Sequence, residues 1–291
     1  MEILEKLKSE YAKKALIYYF DRLFELGVGF VQTWIIGRKL GADGYGIFVT
    51  YMSITGIALI FFRAGFVSSA KYIIAHTDTE KARELIGASF VVALATGFLF
   101  GVFIFIFGLF ADSIFNVKVG KLLLFSSPLL VGSILRNYIS SWGEATGKII
   151  PMSIFLFITK FFEFILIFLF FFVFKSKNLF LLVLSVIAPV WFTGLSFFFF
   201  LKPSFNLLKE NILTLLRVNK EFGFRVYIGQ VADLTTYRLD KVFLAYFGIA
   251  KTVGNYSLAD SGMRVVVDFP ASIASALFRG FAKSRIINPK V

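Results

Sequence analysis

The chain of 291 residues contains no cysteine and only one histidine. Without cysteine, neither a disulfide bond nor a thiolate metal site can form within it. The histidine, His76, precedes Asp78-Thr79-Glu80, a pattern typical of a helix start, so we expect a solvated loop residue. These absences leave no candidate metal site and no expected cofactor.

Long polar segments are also scarce. The longest connection between apolar segments, Lys202–Glu221, has 20 residues, which is too short for a soluble catalytic domain. We therefore expect no enzyme and no catalytic residues. The charged N-terminus, Met1–Lys14, is followed by a segment that contains Asp21, Arg22 and Glu25, so a cleavable signal peptide is not expected.

Apolar residues, by contrast, are abundant. They make up 58% of the chain, the mean hydropathy is +0.80 and 40 residues are Phe, which is more than a soluble core of this length can bury. Continuous apolar runs such as Phe164–Phe174 lack the alternation of a barrel strand. The sequence therefore predicts an all-α polytopic membrane protein with about eight transmembrane helices. They run near Ala15–Gly37, Tyr45–Ala70, Ile86–Phe110, Val119–Trp142, Ile149–Phe174, Leu179–Leu201, Phe222–Phe247 and Val253–Phe278.

The distribution of Lys and Arg predicts the orientation. Sixteen lie in the termini and the even-numbered connections, seven lie in the odd-numbered connections, and eight fall within the spans. By the positive-inside rule both termini are cytoplasmic, in a multi-pass protein of the cell membrane. The net charge of +13 is then explained by the basic residues on the cytoplasmic side of the membrane, and it does not indicate a nucleic-acid partner.

A repeated pattern of glycines predicts the domain organisation. Gly41 and Gly46 lie between the first two spans, and Gly248 and Gly254 recur about 207 residues later between the last two. Such a repeat suggests two related lobes. We expect a six-helix N-terminal lobe at 1–201, a cytoplasmic linker at 202–221 with an amphipathic helix at Leu207–Val218, and the first two helices of a second lobe at 222–291.

Charged side chains within the spans predict a hydrated interior. An ionisable group at the bilayer centre costs roughly 2.5–3.5 kcal/mol, so it usually faces a cavity or a partner. In the first span Tyr18, Arg22, Glu25, Gly29 and Gln32 share one helix face. The candidate substrate-binding residues are Arg22, Glu25, Gln32, Arg136, Lys160, Asp233, Arg238, Asp240, Lys241 and Arg264.

Two alternatives to a binding role stay open for these charges. They can pair with each other as structural links, as the spacing of Lys160 and Glu163 allows, or they can reach the membrane surface from near a helix end. The third and sixth spans contain no charge and are expected to face lipid. Gly97-x-x-x-Gly101 in the third span predicts close helix packing.

Two motifs resemble a known family. Gly37-Arg38-Lys39-Leu40-Gly41-Ala42-Asp43-Gly44-Tyr45-Gly46-Ile47-Phe48 is similar to the G-R-x-L-G-x-x-x-Y-G-x-F signature of polysaccharide-transport proteins, the O-antigen-flippase type of the MOP (MATE-like) superfamily. The segment from Arg238 to Lys241, with Gly248, Gly254 and Tyr256, resembles the same family's seventh and eighth helices.

The resemblance implies two lobes of six helices and alternating access around a central cavity. It also implies a polyprenyl-(pyro)phosphate-linked oligosaccharide as the substrate, moved from the cytoplasmic to the outer leaflet. The positions that match the family's basic cavity residues are Arg22, Arg136, Lys160, Arg238 and Lys241. Because family members have 12 to 14 helices, we expect that this chain is truncated at its C-terminal end.

The leading hypothesis is therefore a flippase whose partners are the lipid-linked saccharide and membrane lipid, with Glu25, Asp233 and Asp240 as candidates for coupling to an ion gradient. A MATE-type cation or drug antiporter is the first alternative, although its cavity would be expected to be acidic. A non-transporting truncated fragment is the second. A membrane glycosyltransferase is the third, and it lacks a catalytic loop here.

Overall fold

The structure, a computed structural model, describes residues 2–260, and the side chains of residues 20, 23–232 and 239–260 within them. All regular elements in this part of the chain are helices, as the sequence predicts. They are α1 (Glu2–Arg63), α2 (Phe66–Ala75), α3 (Thr79–Ile114), α4 (Gly120–Ser126), a 3₁₀ turn (Ser127–Leu130), α5 (Val131–Thr146), α6 (Ile149–Phe168) with a π-helical end (Leu169–Val173), α7 (Leu179–Phe200), α8 (Leu208–Val218), a π turn (Asn219–Gly223), α9 (Phe224–Phe247) and α10, of which residues 250–260 are described.

A sharp kink divides α1 into two arms. Gly41 has φ 70° and ψ 175°, a backbone conformation that is open almost exclusively to glycine. The first arm ends before it and the second arm, 42–63, begins after it. The predicted polar connection between the first two spans is therefore helical in the structure except for the kink at Gly41.

Five segments in the described part of the chain are long and apolar enough to cross a membrane. They are Leu23–Arg63, Thr79–Ile114, Gly120–Thr146, Ile149–Val173 and Leu179–Phe200. The first, 41 residues long, contains the second arm of α1 and the adjoining part of the first arm, and it has the length of two crossings. The prediction of a polytopic all-helical membrane protein is confirmed. The predicted seventh span coincides with the helix α9, which carries five charged residues and is not one of these five segments, and the described start of the predicted eighth span is helical as α10.

The predicted second span, Tyr45–Ala70, is wrong at its C-terminal end. The second arm of α1 stops at Arg63, and Ala64 and Gly65 adopt positive φ values of 42° and 83° before α2 begins. The apolar residues Phe66 and Val67 continue the hydrophobic run across this turn, so the pattern alone carried no sign of the break.

Capping residues explain where two other helices begin. The side chain of Asp78 accepts a hydrogen bond from the backbone N–H of Lys81 at 2.8 Å and so caps α3, as predicted. Asn178 caps α7 through the N–H of Phe180 at 2.9 Å. His76 is exposed in the connection before α3, also as predicted. The predicted helix of the linker is present as α8, within one residue of its expected start.

The core lies where α3, α5 and α7 pack together. A methyl group added to Gly97 would lie 2.8 Å from the side chain of Val131, which confirms the close packing predicted for this glycine pair. Trp142 is fully buried and donates to the hydroxyl of Ser89 at 2.8 Å. On the opposite face of α3, large apolar side chains such as Phe98 are exposed, as expected for a surface that contacts lipid.

Candidate functional site

A hollow of about 640 Å³ lies between α1, α5, α6 and α7 on one side and α9 and α10 on the other; we call it the large hollow. Backbone and apolar groups form much of its wall. Three cations and two carboxylates also line it among the described side chains. These five are Glu25, Arg136, Lys160, Glu163 and Lys241.

The described part of the polar stripe of the first span faces this hollow. Glu25, Gly29 and Gln32 all line it, as the helical spacing of the stripe predicts. Gly29 leaves room for the side chain of Lys160, whose Cε would lie 4.0 Å from a methyl group at this glycine. The stripe thus provides both polar atoms and space.

An ion pair joins α5 to α1 at the wall of the large hollow. Arg136 donates from Nη2 to Oε1 of Glu25, and the two side chains are 36% and 21% exposed. A guanidinium has five N–H donors. Arg136 can therefore keep its bond to Glu25 and still present donors to a bound molecule.

The other two cations also have carboxylate partners. Lys160 Nζ lies 3.0 Å from Glu163 Oε1, the i,i+3 pair that the sequence left open as an alternative. Lys241 Nζ lies 2.5 Å from Asp260 Oδ2, and its side chain is only 6% exposed. The cations of the large hollow are thus paired and at the same time border open space, so they do not lie in solid packing.

The wall includes buried polar atoms for which the described structure provides no hydrogen-bond partner, among them Nε2 of Gln32 and Oε2 of Glu163. These two residues are 4% and 5% exposed. Buried polar groups are nearly always satisfied by protein, water or ligand. A donor and an acceptor are therefore ready for water or for a polar ligand inside the large hollow.

The two glycine motifs meet at one end of the hollow. A methyl group on Gly46 would lie 1.7 Å from the carbonyl oxygen of Ala250, and one on Gly254 would lie 2.4 Å from the carbonyl oxygen of Ala42. The first residue of each helix thus contacts the fifth residue of the other. This reciprocal arrangement is what two-fold related units produce.

A second contact joins Asn219 to the opposite end of the second arm of α1. The side-chain amide of Asn219 donates to the carbonyl of Ala64 at 3.0 Å and accepts from the hydroxyl of Ser69 at 2.9 Å. Gly65 and Gly223 also touch, since a methyl group on Gly65 would lie 2.4 Å from the carbonyl oxygen of Gly223. The start of α9 is therefore fixed to the turn between α1 and α2.

The structure brings together half of the predicted site residues. Glu25, Gln32, Arg136, Lys160 and Lys241 line the large hollow. Asp240 instead accepts hydrogen bonds from the hydroxyl of Tyr256 and the backbone N–H of Lys241. The side chains of Arg22, Asp233 and Arg238 and the whole of Arg264 lie outside the described residues.

The motif residues have structural positions in the described part of the chain. Tyr45 is 4% exposed and lines the large hollow, and the guanidinium of Arg38 lies 5.2 Å from the ring centre of Trp34. Gly37 contacts Leu258 of α10. The predicted site residues did not include Glu163 and Asn137, which also line the large hollow. Glu163 lies three residues after Lys160 and Asn137 lies four residues after Ser133, and these spacings indicate shared helix faces.

These features define a class: a multi-pass helical membrane protein with a charged hollow between its helices. The chain belongs to the polysaccharide biosynthesis protein family, whose model matches residues 11–284. This confirms the resemblance to the flippases of the MOP superfamily.

One solved structure, named protein A, shares the fold with a TM-score of 0.70 at 17% sequence identity. The match covers 97% of this chain and 66% of that one, so the chain spans just under two thirds of its length. No match was found among curated proteins.

Proposed function

We propose that the chain acts as a flippase for a polyprenyl-(pyro)phosphate-linked oligosaccharide. The saccharide and its phosphate groups would cross through the large hollow, while the polyprenyl chain stays in lipid. Translocation would run from the cytoplasmic to the outer leaflet of the cell membrane, with the chain termini on the cytoplasmic side. Family membership supports the substrate class.

The observation that carries this proposal is the large hollow itself. It holds three cations next to unsatisfied polar atoms at the boundary between residues 2–201 and α9–α10. Arginine binds phosphate bidentately, and lysine binds it as a point charge. Hydroxyl-rich sugars need the hydrogen-bonding groups that Gln32 and Glu163 offer.

The carboxylate partners of the cations are compatible with anion binding. A pyrophosphate carries more negative charge than one carboxylate and presents several acceptor oxygens. It can therefore share the donors of Arg136 with Glu25 or replace Glu25 there. If pyrophosphate replaces Glu25 as the partner of Arg136, the net binding energy is only the difference between the two ion pairs. This small difference favours release of the substrate after translocation.

We further propose alternating access between the two predicted lobes. The reciprocal glycine contacts close the hollow at the end that the charge distribution assigns to the outside. Separation of these two helices would open that end. Ion coupling would use Glu25 or Asp240, and a dependence of translocation on an imposed proton or sodium gradient would support it.

The test is translocation of a fluorescent polyprenyl-pyrophosphate oligosaccharide in liposomes that contain the 291-residue chain. We expect Arg136→Gln combined with Glu25→Gln to reduce the rate roughly tenfold or more, because a charge-assisted hydrogen bond is lost. The double variant removes both charges of the pair and so leaves no carboxylate without its arginine. Lys177→Gln, at an exposed position between α6 and α7, is the control and should leave the rate unchanged.

The same liposomes separate the flippase from the MATE-type alternative. Unchanged saccharide translocation in the double variant would contradict the proposal. If the chain instead exports cationic drugs and this export depends on Glu25, the MATE-type antiporter would be the better interpretation. Absence of both activities in the wild-type chain would favour the non-transporting fragment.

A further inference from the structure

Two helices that line the large hollow, α1 and α6, run side by side and in step. The ring centres of Phe24 and Phe157 lie 4.4 Å apart. Fifteen residues further along each segment, Nζ of Lys39 lies 4.2 Å from the ring centre of Phe172. The two helices are therefore parallel, and residues with nearly this separation along the chain lie at the same level of the wall.

Gln32 and Glu163 lie at one such level. Each comes three residues after a member of a contacting pair, since a methyl group on Gly29 would lie 4.0 Å from Cε of Lys160. Both residues line the large hollow, and more than nine tenths of each is buried. Nε2 of Gln32 and Oε2 of Glu163 have no hydrogen-bond partner among the described residues. An open donor and an open acceptor thus lie at one level on two adjacent helices.

The open oxygen of Glu163 selects against phosphate. The other oxygen of this carboxylate, Oε1, pairs with Nζ of Lys160 at 3.0 Å. A carboxylate only accepts hydrogen bonds, so Oε2 needs a group that donates one. The oxygens of a pyrophosphate are acceptors with negative charge, so they cannot donate to Oε2 and are repelled by it. A hydroxyl group can fill this need, because it donates one hydrogen bond and accepts others.

Gln32 supplies the complementary donor. Its amide nitrogen carries two N–H donors and engages no acceptor among the described residues. Buried polar groups are nearly always satisfied, so the two open atoms together favour a ligand that donates and accepts at adjacent positions. The neighbouring hydroxyl groups of a sugar ring meet this requirement, because each has one O–H donor and an oxygen that accepts.

This donor and acceptor lie apart from the ion pair of Arg136 and Glu25. Gln32 is seven residues beyond Glu25 on the same stripe of α1, which is about 10 Å along the helix and towards the kink at Gly41. Arg136 offers N–H donors, which suit phosphate, whereas Glu163 offers an acceptor, which suits a hydroxyl group. The large hollow thus has two regions with opposite chemical preferences.

We propose that Gln32 and Glu163 form a saccharide subsite of the large hollow, which recognises a sugar ring by its hydroxyl groups. One hydroxyl donates to Oε2 of Glu163, and a sugar oxygen accepts from Nε2 of Gln32. The pyrophosphate stays near Arg136, so the substrate lies in one orientation, with its sugar towards the kink at Gly41. This inference rests on the proposed function for its substrate. It adds the two residues that distinguish the saccharide-bearing lipid from the bare lipid pyrophosphate.

The absence of cysteine makes a direct test simple. Ser133→Cys places a single thiol in the lining of the large hollow, where a bound ligand slows its modification by a charged thiol reagent. Two probes are compared, farnesyl pyrophosphate and the same compound with a glucose unit on its pyrophosphate. The ratio of the two concentrations that give half-maximal protection measures the contribution of the sugar alone. We expect the glucose probe to protect at a concentration about tenfold or more lower.

Two independent variants of this protein remove the subsite, so the test stays decisive if one of them folds poorly. Gln32→Met removes the donor and should reduce the ratio about fivefold, the effect of one neutral hydrogen bond. Glu163→Met combined with Lys160→Met removes the acceptor together with its paired cation. It should reduce the ratio about tenfold, because a hydrogen bond to a charged group is lost. Gln230→Met is the matched control, since the amide of Gln230 donates to the hydroxyl of Ser68 at 3.4 Å, outside the lining of the large hollow. It should leave the ratio unchanged.

The outcomes distinguish this inference from the proposed function. An unchanged ratio in the variants, or equal weakening of both probes, would overturn the subsite, while saccharide translocation by the wild-type chain would still support the flippase. Equal protection by the two probes in the Ser133→Cys protein would also overturn the subsite. A ratio that falls in the variants but not in Gln230→Met would support it, and absence of translocation in the wild-type chain would then contradict the flippase alone.

Discussion

The contact between Gly46 and Ala250 allows a quantitative test of the proposed opening at the end of the hollow where the two glycine motifs meet. Gly46→Ala would place a methyl carbon 1.7 Å from the carbonyl oxygen of Ala250. A carbon and an oxygen in such contacts normally lie about 3.3 Å or more apart. The obstacle is backbone and not a flexible side chain, so the two helices must separate by about 1.6 Å.

Two further glycines provide a graded series at the same interface. Gly254→Ala would place its methyl group 2.4 Å from the carbonyl oxygen of Ala42, which requires a shift of about 0.9 Å. Gly37→Ala would place its methyl group 3.4 Å from a side-chain carbon of Leu258, an ordinary contact. The expected order of effect is therefore Gly46, then Gly254, then Gly37.

Overpacking of this kind costs about 1–3 kcal/mol. If the strain is relieved when the two helices separate, it shifts the equilibrium towards the separated state by about 5- to 150-fold. Spin labels at Asp43→Cys and Lys251→Cys, both exposed and in a chain without native cysteine, report the separation by pulsed electron paramagnetic resonance. Gly46→Ala should move the distance distribution to longer values.

Gly27→Ala is the matched control. Its methyl group would meet nothing within 4 Å, while the substitution has the same effect on helix propensity. Equal distance distributions for Gly46→Ala and Gly27→Ala would refute the steric argument. A larger change with Gly37→Ala than with Gly46→Ala would also refute it.

Three other substitutions test the fold. Gly41→Ala should lower the thermal stability of the detergent-solubilised protein, by about 1–3 kcal/mol in free energy, because its φ and ψ exclude a side chain even though no atom is near. Trp142→Phe should lower the free energy of unfolding by about 2 kcal/mol in the same measurement, because it removes the indole N–H that donates to the hydroxyl of Ser89 and leaves a small cavity. Asn219→Ala should speed hydrogen exchange in the 64–69 turn, which it clamps with two hydrogen bonds; unchanged exchange would contradict that role.

The sequence predicted those features that depend on one helix at a time. The stripe of Glu25, Gly29 and Gln32 follows from helical spacing, and it faces the hollow as expected. The cap at Asp78 and the surface helix α8 depend on local residue preferences and were also predicted. The repeated glycines suggested a duplication, which stays a prediction; in the structure Gly46 and Gly254 make reciprocal contacts with Ala250 and Ala42.

Features that depend on how helices meet were not predicted. The partner of Arg136 is Glu25, 111 positions away, and no spacing rule connects two helices. Lys71 follows the predicted span Tyr45–Ala70 and was expected in a connection, but it lies in α2 and pairs with Glu144 of α5. The break after Arg63 depends on the contact of Gly65 with Gly223, which a hydrophobic pattern does not contain.

The placement of the ion pairs bears on how the helices can move. Every ion pair named above joins two residues within 2–201 or two residues within α9 and α10; Arg136 with Glu25 and Lys241 with Asp260 are examples. Breaking such pairs in a low-dielectric interior would cost several kcal/mol each. Rotation of α9 and α10 against the rest of the chain leaves these pairs intact.

Glycine contacts and single hydrogen bonds do cross this boundary. Gly46 and Gly254 pack across it at one end, where Asn116 also donates to the carbonyl of Tyr246 at 2.8 Å. At the other end Asn219, in the π turn that leads into α9, donates to the carbonyl of Ala64. A neutral hydrogen bond contributes only about 1 kcal/mol net. The interface can therefore open at one end at a modest cost while the charged walls of the hollow keep their internal partners, which is the property that repeated opening and closing requires.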